Sequence, residues 1–138
     1  MLFKDQFGYA LARFWFEPDG INMTRKNNSK SKFRRILLKL SGEALHDKAN
    51  GLSISPKILK NIARQVKSVS RMGVEVAMVV GGGNIFRGNI GEGMGIDRTS
   101  GDYMGMLATI INAIALQSAL EGVGIQTRVQ TAIEMQKV

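Results

Sequence analysis

Two groups of residues in this sequence have the types and spacing needed to bind a phosphate-like anion. In the first, three consecutive glycines at 81–83 follow a run at 74–80 that is apolar except for Glu75, and Arg87 comes four residues later. Glycine lets the backbone lie flush against a ligand, so that bare N–H groups face an oxyanion, and a nearby arginine adds positive charge. A tight turn whose glycines serve packing is the alternative interpretation of this stretch.

The second candidate group contains Lys39, which interrupts an apolar run at 36–40 and precedes Ser41 and Gly42. The run is typical of a strand buried on both faces. A lysine there either extends to solvent or lies beyond the carboxyl edge of the sheet, where open α/β folds bind their ligands. Because the glycine run ends the next strand, the two strand ends predict one shared polar edge, which favours a ligand-binding role.

The elements that would position these residues follow the order strand, helix, strand. Ser55 and Pro56 are typical of a helix start, and Gly73 is predicted to end the helix. Apolar residues between them repeat at the helical period, at Ile58, Leu59, Ile62, Val66 and Val69. The pattern predicts a βαβ unit with two parallel strands.

The rest of the chain predicts a second helix and a third strand. A capping pattern at 99–102 precedes a helix over 103–121 that is apolar nearly all round, which implies burial against the sheet and a subunit neighbour. Asp102 then either favours the helix dipole or binds a ligand. Residues 125–133 alternate as a strand. With nothing to cover this last strand, we expect the natural chain to continue or a partner to complete the sheet.

Composition limits the possible functions. The chain has 138 residues and a net charge of +8, but residues 1–35 hold eight Lys and Arg against three acids, so the remainder is only mildly basic. That distribution argues against a general nucleic-acid binder. The absence of cysteine excludes disulfides and thiolate zinc sites and favours a cytoplasmic protein. The single histidine, His46, cannot form a metal site alone and is predicted to be a solvated loop residue.

The chain is predicted to contain a leader and one domain. Residues 1–32 are expected to be a disordered or poorly ordered basic leader, and residues 33–138 the ordered α/β domain. The uncharged runs of the leader are shorter than the roughly 18 residues of a membrane span, and it has no signal-peptide pattern. A basic RNA-binding arm is the alternative, which predicts salt-sensitive binding.

Three stretches in matching order, residues 35–45, 79–88 and 101–109, resemble the bacterial UMP kinases of the amino acid kinase superfamily. The resemblance covers about residues 33–138, the amino-terminal portion of that family's chain. It implies a three-layer α/β/α sandwich around a mainly parallel sheet, here truncated, and assembly as a homohexamer in the cytoplasm. The implied reaction transfers the γ-phosphoryl group of Mg-ATP to UMP, giving UDP in pyrimidine nucleotide biosynthesis.

The resemblance also implies roles for individual residues. The predicted ATP-binding residues are Lys39, Leu40, Ser41, Gly42, Gly83 and Arg87, of which Lys39 and Arg87 are also the predicted catalytic residues. The predicted UMP-binding residues are Gly82 and Asp102. Mg²⁺ would arrive with ATP, and no protein ligand for a metal is predicted. Residues 47–52 lie where the family places an allosteric response to GTP.

Because the second half of the family's chain is absent, the isolated chain is expected to be inactive. The competing hypothesis is a noncatalytic remnant or interaction module that docks onto a full-length subunit through the apolar helix at 103–121. Formation of UDP would distinguish an enzyme from such a module.

Overall fold

The computed structural model describes residues 31–87, 93–131 and 133, so residues 1–30 of the predicted leader lie outside the described residues. Strand β1 spans Arg35–Leu40, helix α1 spans Pro56–Arg71, strand β2 spans Glu75–Val80 and helix α2 spans Arg98–Glu121. A short 3-10 helix, Gly42–Leu45, follows β1. The division at residue 32 stays a prediction.

The described sheet consists of β1 and β2, which pair in parallel from Arg35 opposite Glu75 to Leu40 opposite Val80. The Gly81 N–H then donates to the Leu40 carbonyl at 3.0 Å, which continues the pairing past the end of β2. Because α1 connects these two strands, the predicted βαβ unit is confirmed. The residues that follow each strand therefore lie side by side at one edge of the sheet.

Helix α1 begins and ends where the sequence pattern predicts. The Ser55 side chain accepts a hydrogen bond from the Ile58 N–H, and Pro56 occupies the first helical position. Gly73 adopts a φ of 79°, a conformation that favours glycine after a helix end. The helix buries Ala63 and Val66 against the sheet.

Helix α2 begins earlier than predicted, so the predicted capping motif at 99–102 is wrong. Asp97 is the N-cap, and its carboxylate accepts a hydrogen bond from the Ser100 N–H at 3.0 Å. Aspartate caps at least as well as serine or threonine, and it comes first along the chain. Hydrogen bonds from the Ser100 hydroxyl and backbone lower the pKa of Asp97. Asp102 therefore lies beyond the first turn.

One face of the sheet carries the hydrophobic core. Both helices pack there, and the buried core residues are Leu45, Ala63, Val66, Val76, Met78, Val80, Ala113, Leu116, Leu120 and Ile125. Ile36, Leu38 and Leu40 of β1 pack against this core. The alternate residues of β1 point to the opposite face, where Leu37 is 69% exposed. The expectation that β1 is buried on both faces is wrong here, because no described element covers that face. Two of the three predicted layers are thus described.

The predicted third strand at 125–133 is not a strand in the described residues up to 131. Its side chains alternate as expected, since Ile125 and Thr127 are buried whereas Gln126 and Arg128 are exposed. The segment contacts α2 instead, because Gln117 Nε2 of α2 donates to the Thr127 carbonyl at 3.3 Å and Ile125 lies in the core with Leu116 and Leu120. An alternating pattern indicates one covered face, but a strand also needs a neighbouring strand to pair with.

Helix α2 is long and apolar enough to cross a bilayer by length and composition, the one such helix found in the described part of the chain. It is only partly buried. Ala113, Leu116 and Leu120 lie in the core with β2 and α1, as in the core helix of a globular domain. Its exposed apolar residues are Tyr103, Met104, Leu107, Ile111 and Ile114.

Candidate phosphate-binding site

The segments after β1 and β2 contact each other closely at the carboxyl edge of the sheet. A Cβ atom on Gly42 would lie 2.3 Å from Asn84 Oδ1, 2.7 Å from the Gly81 carbonyl oxygen and 2.8 Å from Gly83 N. Only glycine fits at such distances, because two of the three neighbours are backbone atoms. The predicted shared polar edge is therefore present, and residues 81–87, here called the glycine loop, form its larger part.

The glycine loop also packs against α2. A Cβ atom on Gly82 would lie 2.8 Å from Ala108 Cβ and 2.8 Å from Thr109 N. Gly83 is different, because the nearest described atom to its Cβ position is Arg87 Nε at 3.8 Å. The Ile85 and Phe86 N–H groups both donate to the Gly82 carbonyl, at 2.9 and 3.1 Å. The loop is thus a turn rather than the helix start that an anion site often uses.

Arg87 is held over the glycine loop by two partners. Its Nε–H donates to the Gly83 carbonyl at 3.0 Å, and its guanidinium forms an ion pair with Glu43 of the 3-10 helix. The hydrogen bond from Arg87 lowers the pKa of Glu43, and Lys48 at 3.8 Å adds to that effect. A guanidinium has five N–H donors, so these two bonds leave donors for an anion.

Lys39 and Asp102 lie on surfaces that flank this edge. Lys39 pairs with Val79 in the sheet and is exposed on the face opposite the helices. Asp102 is exposed on α2, six residues before the point where Ala108 contacts Gly82, or about 9 Å along the helix axis. The structure therefore brings Gly42, Gly82, Gly83 and Arg87 together. Leu40 and Ser41 join them directly to β1, with the Ser41 hydroxyl capping the 3-10 helix.

A pair of asparagines at this edge was missed from the sequence. Asn112 of α2 is fully buried, and its Nδ2 donates to the Gly81 carbonyl at 2.7 Å and to Asn84 Oδ1 at 2.6 Å. Asn84 Nδ2 donates back to Asn112 Oδ1 at 3.1 Å and to the Ser53 carbonyl at 2.7 Å. The available signal was Asn112 itself, a lone amide inside a run of apolar helix residues.

The loop at 47–52 is a closed turn beside this site. Asp47 and Leu52 form an antiparallel bridge, and Gly51 has a φ of 65°. A hydrogen bond from the Asn50 side chain lowers the pKa of Asp47. His46, just before the loop, is half-buried with Nδ1 enclosed 3.6 Å from Glu43 Oε2, so the prediction of a solvated histidine is wrong.

The glycine loop lies at the carboxyl edge of a parallel sheet, which is where open α/β folds bind their ligands. Residues 34–137 match the amino acid kinase family, and the chain belongs to that family. The predicted α/β fold of the amino acid kinase type is thereby confirmed.

Among solved structures, the chain is similar to the UMP kinase from Bacillus anthracis, with 47% identity and a TM-score of 0.60, over 65% of this chain and 36% of that chain. It is also similar to the UMP kinase from Ureaplasma parvum, with 38% identity and a TM-score of 0.61, over 67% of this chain and 40% of that chain. The match thus spans well under half the length of either relative. The sequence resemblance to UMP kinases is confirmed by these two structures.

Proposed function

We propose that these residues form the amino-terminal part of a UMP kinase active site, which transfers the γ-phosphoryl group of ATP to UMP and gives UDP. The observation that carries the proposal is the contact of Gly42 with the glycine loop at the carboxyl edge, with Arg87 held over Gly83. Similarity to two UMP kinases supports the choice of nucleotide.

In this proposal the site acts by positioning and charge. The acceptor is a phosphate that is already anionic, so the reaction needs no strong general base. Its main barrier is holding two mutually repelling anions in line. Lys39 and Arg87 supply positive charge on either side of the edge. Residues 40–42 and Gly83 provide backbone contacts for ATP, and Gly82 and Asp102 face UMP.

Arg87 would gain a third partner when nucleotide binds. In this structure its guanidinium bonds to the Glu43 carboxylate, whose lowered pKa keeps it ionised at neutral pH. A bound phosphate offers oxygens of greater charge, to which arginine binds in a bidentate manner. Glu43 would then hold the other side of the guanidinium, as the Gly83 carbonyl does at Nε.

Mg²⁺ would enter the site on the ATP phosphates. In the described residues, no group of three or more His, Cys, Asp or Glu could hold a metal ion. Its chemistry there would be to neutralise charge on the transferring group. Assembly as a hexamer, a GTP response through residues 47–52 and a cytoplasmic location belong to the same proposal.

The test is UDP formation from Mg-ATP and UMP by two proteins. The first is the 138-residue chain, for which we expect no UDP because its relatives use a much longer chain. The second is a chimaera in which residues 34–131 replace the matching segment of the Bacillus anthracis UMP kinase, for which we expect turnover. A chimaera that unfolds cooperatively but forms no UDP would contradict the proposal.

Two substitutions in the chimaera sharpen the test. Lys39→Ala and Arg87→Ala should each lower kcat by roughly two to three orders of magnitude, the usual cost of losing one electrostatic stabiliser. The matched controls are Lys60→Ala and Arg64→Ala, because both side chains are exposed on α1. Equal kcat in a site variant and its control would remove that residue from the site.

The exposed apolar residues of α2 favour a second candidate, an interaction module that docks on a full-length subunit. Turnover by the chimaera would show that the segment has kept its catalytic residues, and it would exclude the noncatalytic module. Inactivity together with binding to the Bacillus enzyme in sedimentation would instead support the module.

A further inference from the structure

We propose that Asn112 is a positioning residue that orients the peptide between Gly81 and Gly82, so that the Gly82 N–H faces the anion. This inference rests on the proposed function in its last step only, since the orientation itself is a property of the free chain. It assigns a role to a helix residue that lies outside the glycine loop and is not exposed.

The first step concerns burial. Asn112 is fully buried between Ile110 and Ala113, both of which are also buried. A carboxamide in such surroundings is costly unless its hydrogen bonds are made, whereas an apolar residue of similar size would fill the space without that cost. Packing alone therefore does not explain an asparagine at this position.

The second step concerns geometry. The two Nδ2 hydrogens of Asn112 go to the Gly81 carbonyl and to Asn84 Oδ1, at 2.7 and 2.6 Å. The two Nδ2 hydrogens of Asn84 go to Asn112 Oδ1 and to the Ser53 carbonyl, at 3.1 and 2.7 Å. All four amide hydrogens thus have acceptors, and a closed pair of this kind defines the orientation of both amides.

The third step links this pair to the loop. In a trans peptide the C=O and N–H groups point in opposite directions, and the structure contains no cis peptide in the described residues. Because the Gly81 carbonyl points at Asn112, the Gly82 N–H of the same peptide points away from α2. Gly82 also lies close to α2, since a Cβ atom on it would be only 2.8 Å from Ala108 Cβ and from Thr109 N.

The same pair connects the loop to the segments beside it. Asn84 Oδ1 lies 2.3 Å from the position of a Cβ on Gly42, and Asn84 Nδ2 donates to the Ser53 carbonyl, two residues before the Ser55 cap of α1. Loss of Asn112 would therefore remove the hydrogen bonds that hold the glycine loop to α2 while leaving the β1–β2 pairing and α1 in place. A residue needed only for general stability would loosen all of these together.

Hydrogen exchange on the 138-residue chain tests the inference. The Ile85 and Phe86 amides report on the loop, because both donate to the Gly82 carbonyl. In Asn112→Ala we expect them to exchange at least tenfold faster than in the wild type, with less than a threefold change for the Leu59 amide at the start of α1. The control is Gln117→Ala, which removes another amide from α2, one that bonds Glu121 and Thr127.

Two results would overturn the inference: unchanged exchange at Ile85 and Phe86, or an equal increase at all three amides. If Asn112→Ala does not fold, Asn112→Asp gives the same measurement with nearly the same side-chain volume. The ionised aspartate side chain cannot donate a hydrogen bond to the Gly81 carbonyl, whereas its protonated, neutral form can. Burial raises the pKa of such a group, so loop exchange relative to wild type should fall again as the pH is lowered.

A phosphate probe separates this inference from the proposed function. Inorganic tripolyphosphate should shift the NMR amide signals of Gly82 and Gly83 in the wild type, and bind at least fivefold more weakly to Asn112→Ala. Wild-type signals that do not respond would contradict phosphate binding by this loop. The exchange measurement would still decide whether Asn112 orients it.

Discussion

Replacing Gly42 by alanine should be among the most destabilising single-methyl changes in this chain. The added Cβ would lie 2.3 Å from Asn84 Oδ1 and under 3.0 Å from backbone atoms of Gly81 and Gly83. Ordinary contacts between a carbon and such atoms begin at about 3.4 Å, close to the optimum separation of non-bonded atoms. The two strand ends must therefore separate, or Asn84 must leave its position.

The expected cost has two parts. Inserting a methyl group into a close-packed contact costs about 1–3 kcal/mol. If Asn84 moves, the fully buried Asn112 loses a partner, and an unsatisfied buried amide costs about 1–3 kcal/mol more. The sum is roughly 2–6 kcal/mol, a large fraction of the 5–15 kcal/mol that stabilises a typical domain. For a domain near 100 residues this corresponds to a fall in Tm of at least about 8 °C.

Thermal unfolding followed by circular dichroism measures this effect. Gly83→Ala is the nearest control, because its Cβ position has no described atom closer than 3.8 Å. Gly105→Ala is a second control that should raise stability by roughly 0.5–1 kcal/mol, since it lies inside α2 and its Cβ meets no described atom within 4 Å. A Gly42→Ala variant that melts within about 2 °C of wild type would refute the argument from contact.

Three further predictions concern α2. In the chimaera, Asp102→Asn should raise the KM for UMP while kcat changes less, because a hydrogen bond to the acceptor is shared by ground and transition states; an unchanged KM with a lower Tm would remove Asp102 from the site. In the folded chain the pKa of Asp97 is lower than its unfolded value of about 3.9. The ionised carboxylate therefore stabilises the fold above that value, and this contribution is lost as the pH falls through the folded pKa. Asp97→Asn should therefore lose less unfolding free energy than wild type when the pH is lowered. Urea unfolding at about pH 6 and pH 3 measures this, and equal losses in both proteins would contradict a stabilising contribution from the ionised Asp97 carboxylate. Leu107 and Ile111 are exposed on α2, so we expect the chain to self-associate in sedimentation. Leu107→Lys should reduce this self-association. A monomeric wild type would show that this face of α2 needs no partner.

The part of the site nearest the backbone could be predicted from the sequence. An apolar run, a capped helix and a second apolar run define a βαβ unit, and parallel strands put residues 41–43 and 81–84 at one edge without further information. The helix limits at Ser55 and Gly73 depend on local chemistry, so they were also predictable. The strands and the helix limits are each determined within a few residues along the chain, and the connection through α1 then makes the two strands parallel.

Features that depend on distant residues could not be predicted in the same way. Alternation at 125–131 indicates a covered face, but Ile125 and Thr127 contact the core and Gln117 of α2, respectively, rather than a paired strand. The exposure of Leu37 depends on whether another layer covers the sheet. The start of α2 is an error of a different kind, because Asp97 and the motif at 99–102 are both good local caps and the helix uses the one that comes first along the chain.

The two interpretations of the glycine run, packing turn or ligand loop, apply to different glycines. Gly82 is needed for contact with α2, and Gly42 for contact with the run itself, so both would be required without any ligand. Loss of activity on substituting either would therefore not show that it touches a nucleotide. Gly83 has space at its Cβ position in the described structure, and its carbonyl holds Arg87. A Gly83→Ala variant that keeps its Tm but loses nucleotide affinity would thus be the direct evidence for a ligand loop, because packing gives no reason for glycine there.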